Sequence, residues 1–87
     1  MSYKIGPKIQ KQMAKRGWTI ADIEDTLRNA AKTVPTRDTR HLPDDTRLDD
    51  PATAYIRQDG HYVIRNDLTG DIVQISNRND PGWKSPF

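Results

Sequence analysis

ATAYIRQDGHYVIRNDLTGDIVQIS, residues 52–76, holds three short runs of β-branched and aromatic residues separated by turn signals, and its reading decides the fold. ATAYIR and HYVIRN flank Gln58-Asp59-Gly60, in which Asp-Gly is a strong hairpin signal. Asp67-Leu68-Thr69-Gly70 then leads into DIVQIS. The pattern predicts an antiparallel meander. With Asp59 and Gly60 as the two turn residues, Tyr55, Tyr62, Ile64, Val73 and Ile75 share one face and form the core. The other face carries Ile56, His61, Val63, Arg65, Ile72, Gln74 and Ser76, too polar for full burial and too apolar for an idle surface. Two readings are open for it: a platform for RNA, or an ordinary solvent face with a few aliphatics. A slip of one residue in the turn would exchange the two faces.

Upstream of the meander, Thr36 to Asp50 shows no hydrophobic period and repeats Thr-Arg-Asp-Thr-Arg and then Asp-Asp-Thr-Arg, which marks a long loop. Loops of this length in small domains are functional or disordered, and Arg37, Arg40 and Arg47 beside aspartates also read as a self-neutralising surface. Before it, Lys32 to Thr36 is a short extended piece that Pro35 confines to a sheet edge. Earlier still, TIADIEDTL reads as a helix that ends at Asn29 and Ala30. Thr19 is its N-cap, Asp22 answers the cap, and Ile20, Ile23 and Leu27 lie on one face. Its acidic first turns suit the helix dipole and need no catalytic explanation. Trp18 is expected to plug the junction between this helix and the one before it.

That earlier helix, within KIGPKIQKQMAKRGW (Lys4 to Trp18), runs over residues 7–16 if Pro7 opens it and Gly17 closes it. Ile9 and Met13 form an apolar stripe that Ile5 continues. Beside it Lys8, Gln12 and Arg16 recur at four-residue spacing, so an amine, an amide and a guanidinium stack along one line. A lysine at the margin of a core and near another cation is prepared for proton transfer, and an arginine binds phosphate with two prongs. Charged helix faces are also common as plain solvated surface.

KIQKQMAKRGWT (8–19), Ile23-x-Asp25-Thr26, Asp49-Asp50-Pro51-Ala52-Thr53-Ala54-Tyr55, YVIRNDLTGDIVQIS (62–76) and Asn79-Asp80-Pro81-Gly82-Trp83 together resemble, in the same order over almost the whole chain, the ribonuclease domain of the colicin E-five family. The resemblance implies an antibacterial toxin tip carried at the C-terminus of a secreted or cell-surface delivered protein and acting in the target cytoplasm. It further implies a barnase- or RelE-like α+β fold, a tRNA substrate and a cognate acidic immunity protein. The expected targets are anticodon loops of the tRNAs for Tyr, His, Asn and Asp, since single-stranded loops are what proteins read by base edges and stacking. The reaction needs a base for the ribose 2′-hydroxyl and neutralisation of the phosphorane. Lys8 is the candidate base, Arg16 the neutralising group and Gln12 the orienting one. The family places a catalytic lysine in the long loop, and counting back from Asp50-Pro51 puts Arg40 there, where electrostatic stabilisation replaces proton transfer. His41 beside it reads either as an added general acid or as a loop residue. Gln74, Ile75 and Ser76 are the carried-over base-pocket positions, with backbone groups as important as side chains. Lys15, Lys32, Arg37, Arg65 and Trp83 complete the expected RNA contacts, and for Trp83 with Phe87 two roles are open, locking down the sheet edge or stacking on a base.

Composition bounds these readings. A chain of 87 residues with 33% hydrophobic residues makes one small α+β domain, residues 1–87: two N-terminal helices on a small twisted antiparallel sheet with a thin core. The absence of cysteine removes disulfides, thiolate metal sites and a cysteine nucleophile, and His41 and His61 are too few for a histidine-rich metal site. No cofactor or metal is expected, nor membrane binding by this domain, and a free monomer is. No apolar run is long enough to span a bilayer, and no signal-type apolar region opens the chain. The net charge of +2 understates a local excess, because Lys4, Lys8, Lys11, Lys15 and Arg16 precede any acidic residue, which favours a polyanionic partner. A noncatalytic RNA-binding module that uses the same helix to hold phosphate is the alternative.

Overall fold

The computed structural model describes residues 2–82 together with Lys84 and Pro86. The expected roles of Trp83 and Phe87 fall outside the described residues. Two helices, α1 (Pro7–Arg16) and α2 (Ile20–Asn29), precede four strands, β1 (Lys32–Asp38), β2 (Asp50–Ile56), β3 (Tyr62–Asn66) and β4 (Ile72–Ile75). The strands form one antiparallel sheet in the order β1-β2-β3-β4, the predicted α+β arrangement.

Local chemistry sets the helix ends as the sequence predicts. Pro7 supplies its fixed φ at the start of α1, and Gly17 ends it in the left-handed region at φ 77°. A Cβ at Gly17 would meet the Asn79 side chain at 2.8 Å, and Asn79 Nδ2 donates to the Lys15 carbonyl at 2.8 Å, so the C-terminal segment seals this helix end. At α2, Thr19 Oγ1 accepts from the Asp22 N–H and Asp22 returns the bond to the Thr19 N–H, a complete capping box. Ile20 departs from expectation. It sits in the first turn of α2 and is 56% exposed, while Ile23 and Leu27 are buried.

α1 packs along β4, and α2 packs on β2 and β3. Between helices and sheet lies a cluster of Ile9, Trp18, Ile23, Leu27, Tyr55 and the strand residues Val63, Ile72 and Ile75. The opposite sheet face holds a second cluster of Ala52, Ala54, Ile56, Tyr62 and Ile64, joined by Val34 and Val73. This corrects the predicted faces. The β2–β3 hairpin has a three-residue loop, Gln58 to Gly60, closed by Arg57 N–H to the His61 carbonyl at 2.7 Å, with Gly60 at φ 87°. The register is therefore Ile56 opposite Tyr62 and Tyr55 opposite Val63, one residue off the two-residue turn, and Tyr62 and Ile64 move to the face away from the helices. A β-bulge in β4 then sets Val73 and Gln74 together against Ile64, which keeps both on that second face and returns Ile75 to the helix side.

Two further differences concern extent. β1 runs on to Asp38, so the irregular loop begins at Thr39 rather than Thr36, and Pro35 sits on the edge strand as expected. Lys4 adds a short parallel bridge to Asp71 through bonds from its N–H to the Gly70 carbonyl and from the Ile72 N–H to its own carbonyl, each 2.8 Å.

Candidate active site

The second face of the sheet opens into a cleft of about 320 Å³ beside α1. One wall is the predicted line: Lys8, Gln12 and Arg16 all border it from successive turns of α1. Ile64, Val73 and Gln74 form the floor, the latter two delivered there by the bulge. The far wall comes from the end of β1 and the start of the irregular loop, with Arg37, Thr39 and Arg40. Lys8, Gln12 and Arg16 from one helix and Arg40 from a loop 24 residues further on thus face one cavity.

The two walls differ in how their charge is held. Lys8 is exposed, and among the described residues neither it nor Gln12 has a side-chain partner in the protein. Arg16 is half-buried and donates through Nη1 to the Ile75 carbonyl at 2.7 Å, a neutral acceptor that orients the guanidinium without cancelling its charge. Arg40 is clamped. Its Nε lies 2.9 Å and 3.1 Å from the two Asp38 oxygens and its Nη2 2.7 Å from Asp38 Oδ2, with Asp71 Oδ2 at 3.4 Å. The Asp38 side chain is fully buried, whereas that of Arg40 is 37% exposed. Bonding to Asp38 pushes the Arg40 pKa above the ordinary guanidinium value against the opposing effect of burial. Burial pushes the Asp38 carboxyl up, yet bonds from Arg40 and Asn66 outweigh it and hold the group below the usual carboxylate range. Arg37 bonds Asp49 through Nε to Oδ1 at 2.9 Å and through Nη2 to the backbone oxygen at 2.6 Å, in an exposed setting.

Beneath the cleft, Tyr62 is 5% exposed and its hydroxyl accepts from Gln74 Nε2 at 3.0 Å. Burial raises its pKa and the nearby Arg16 charge lowers it, so the Arg16 field reaches this phenol. A smaller depression of about 220 Å³ adjoins the cleft and shares Lys8, Arg40 and Val73 with it, so the groove continues past the N-terminus of α1 towards Asp71. Elsewhere a depression of about 350 Å³ lies between α2 and the β2–β3 turn. Its cation, Arg57, is held by Thr26 Oγ1 at 2.9 Å and Asp25 at 3.4 Å, so it offers no comparable uncompensated charge.

Several expected contacts lie away from the cleft. Ile75 has its side chain fully buried on the helix side and presents only its carbonyl, to Arg16. Ser76 is 2% exposed, its hydroxyl accepting from the Tyr62 N–H at 3.0 Å and bonded to His61 Nδ1 at 2.9 Å. Its carbonyl takes the Trp18 indole N–H at 2.6 Å. Both side chains therefore build the fold, and the core position expected for Ile75 is the one its side chain takes. Arg65 faces the helix side opposite Ile72 and donates to the Ser2 carbonyl at 2.7 Å. Lys32 lies at the far end of β1, opposite Ile56 and roughly 20 Å along the strand from Asp38. Lys15 is exposed and does not border the cleft, and His41 instead accepts from Arg47 Nε at 3.2 Å within the loop. Sequence reasoning missed Asp38, Asn66 and Asp71. The Asp38-Thr39-Arg40 spacing was the available signal, because residues two apart on an extended chain share a face.

Two helices on one face of a small antiparallel sheet, with cations from α1 and the loop converging on one cleft, make a site suited to a polyanion. Residues 5–87 match the family model described as the Colicin E5 ribonuclease domain, and the chain belongs to that family. It is 45% identical over 83 residues to Colicin-E5 of Escherichia coli, which covers 92% of this chain and 46% of that protein. It is 36% identical over 81 residues to the tRNA nuclease CdiA of Burkholderia pseudomallei, covering 91% of this chain and 6% of that protein. The chain thus spans about half the length of one curated relative and a small fraction of the other.

Proposed function

We propose that this domain is a metal-independent endoribonuclease toxin that cleaves tRNA in the anticodon loop by attack of a ribose 2′-hydroxyl on the adjacent phosphorus. The Lys8 amine takes the 2′-proton, the 2′-oxygen bonds to phosphorus as the P–O5′ bond breaks, and the departing 5′-oxygen takes a proton from solvent, giving a 2′,3′-cyclic phosphate and a 5′-hydroxyl. Arg16 neutralises the non-bridging oxygens, Gln12 orients the phosphate, and Arg40 faces the group from across the cleft. Arg37, Gln74 and the Ile75 carbonyl border the bound strand. The observation that carries this reading is the Lys8, Gln12 and Arg16 line, uncompensated by any carboxylate among the described residues and set opposite Arg40 over an open cleft of about 320 Å³.

Family membership supports ribonuclease activity and the name of the tRNA nuclease CdiA supports tRNA as the substrate, with delivery into a target cell as the proposed setting. The tRNAs for Tyr, His, Asn and Asp are the proposed targets, and an acidic immunity protein seated over the same cations is the proposed partner. The test is incubation of the purified chain with total bacterial tRNA in chelator, followed by mapping of the new ends. Cuts within those four anticodons, bearing 2′,3′-cyclic phosphate and 5′-hydroxyl ends, are expected. Release of 3′-hydroxyl ends, or loss of cleavage in chelator, would overturn the chemistry. RNA binding without cleavage would make the domain a noncatalytic module.

A further inference from the structure

Asp38 is the only fully buried acidic side chain among the described residues, and it sits at the end of the edge strand β1, where the chain leaves the sheet. Its surroundings account for both of its oxygens. Arg40 approaches with Nε and Nη2 as a two-pronged fork, at 2.7 to 3.1 Å, and the Arg40 N–H also points to Oδ1 at 3.3 Å. Asn66, fully buried on β3, donates Nδ2 to Asp38 Oδ2 at 2.8 Å and to Asp50 Oδ2 at 3.0 Å. The Asn66 side-chain oxygen in turn accepts from the Leu68 and Thr69 N–H groups at 2.8 and 3.0 Å. A chain of bonds thus runs from the β3–β4 turn through Asn66 and Asp38 to the guanidinium that borders the cleft.

A buried carboxylate is costly unless paired, and pairing with a partly exposed arginine on an irregular loop is an uneconomical way to stabilise a fold. The arrangement instead fixes a long, rotamer-rich side chain. Nε and Nη2 are consumed by the clamp, while among the described residues Nη1 of Arg40 has no protein acceptor. A guanidinium held by one fork edge has a single orientation in which to meet a phosphate, so the ordering cost is met in folding rather than in binding.

We infer that Asp38, backed by Asn66, is a positioning residue that aims Arg40 into the cleft for the phosphoryl chemistry. The inference rests on the catalytic reading of Arg40 under the proposed function. It deepens that reading by assigning to the protein interior the orientation of a cation that borders the cleft.

The test is a kinetic cycle on the full chain with the tRNA substrate: parent, Asp38→Asn, Arg40→Ala and the double variant, each checked for folding by circular dichroism and assayed well below its melting temperature. Arg40→Ala and Asp38→Asn are each expected to lower kcat about tenfold with KM within twofold, and the double variant to be no slower than Arg40→Ala alone. Full kcat in Asp38→Asn beside a slow Arg40→Ala, or losses that multiply, would overturn the positioning role, because a purely structural residue lowers melting temperature without this coupling. Full activity in Arg40→Ala would overturn the catalytic reading of Arg40 and the inference with it. An inactive parent would overturn the nuclease reading itself. Should Asp38→Asn fail to fold, the intact chain still decides the matter. The Arg40 Nε proton is expected to exchange with solvent at least tenfold more slowly than that of Arg28, which is exposed on α2, and equal rates would contradict the clamp.

Discussion

Along α1, Lys8 and Gln12 face the cleft with no protein partner among the described residues and Arg16 touches only a carbonyl, whereas across the cleft Arg37 is paired with Asp49 and Arg40 with Asp38 and Asp71. The same residue types therefore do different work on the two walls. Uncompensated charge on the helix attracts and polarises an anion, because no carboxylate among the described residues competes for it. Compensated charge on the loop wall adds little to the net field but is held in place. The helical wall is thus expected to set the rate of the chemical step, and the loop wall the geometry within which it occurs.

Substitutions that break this division should rank accordingly. Lys8→Ala removes the proposed base and is expected to lower the single-turnover cleavage rate by about 10²–10⁴-fold, measured by gel on a radiolabelled anticodon stem-loop. Arg16→Ala is expected to cost about 10²–10³-fold in the same assay, since it removes one preorganised donor at the developing charge. Its folding is read by the near-ultraviolet signal of Trp18, whose indole bonds the neighbouring Ser76 carbonyl. Arg37→Ala touches only an exposed and already paired cation. It should leave kcat unchanged and reduce the slope of log affinity against log salt by about 0.7, the share of one contact to single-stranded RNA. A rate loss in Arg37→Ala as large as that in Arg16→Ala would erase the distinction between the walls.

The smallest expected effect concerns stability in acid. The folded pKa of Asp38 is depressed, so the unfolded chain holds the proton more tightly. The stability contributed by the ionised group is complete above the unfolded value of about 3.9 and is lost as pH falls through the lower folded value. Asp22, where bonds from Thr19 and Arg78 outweigh burial, behaves in the same sense. Melting temperature followed downward from about pH 5 should therefore fall less steeply for Asp38→Asn than for the parent. Parallel curves would show that the clamp contributes no proton linkage.

The helical wall was legible because its determinants are local. Pro7, Gly17 and a four-residue period fix both the helix and the line of Lys8, Gln12 and Arg16, and the capping box at Thr19 and Asp22 is likewise a short-range signal. Strand identity was legible for the same reason. Register was not, because an Asp-Gly turn of two residues and a three-residue loop ending in Gly60 share nearly the same sequence and differ by one step, which turns Tyr62 and Ile64 to the other face. The bulge that brings Val73 and Gln74 together had no sequence mark. Nor did the Asp38–Asn66 link, which joins residues 28 apart and depends on burial that only the folded sheet supplies.

Lys8 offers the most direct test of the central claim that the helical wall performs chemistry and does not merely hold RNA. The measurement pairs the single-turnover cleavage rate of an anticodon stem-loop with the affinity for the same stem-loop carrying a 2′-deoxy sugar at the scissile position, for the parent and for Lys8→Ala. The account expects no cleavage of the deoxy strand by either protein, affinity for it within about threefold between them, and a rate on the ribo strand lower by at least about 10² in Lys8→Ala. Rate and affinity falling together by the same few-fold factor, or cleavage of the deoxy strand, would contradict it.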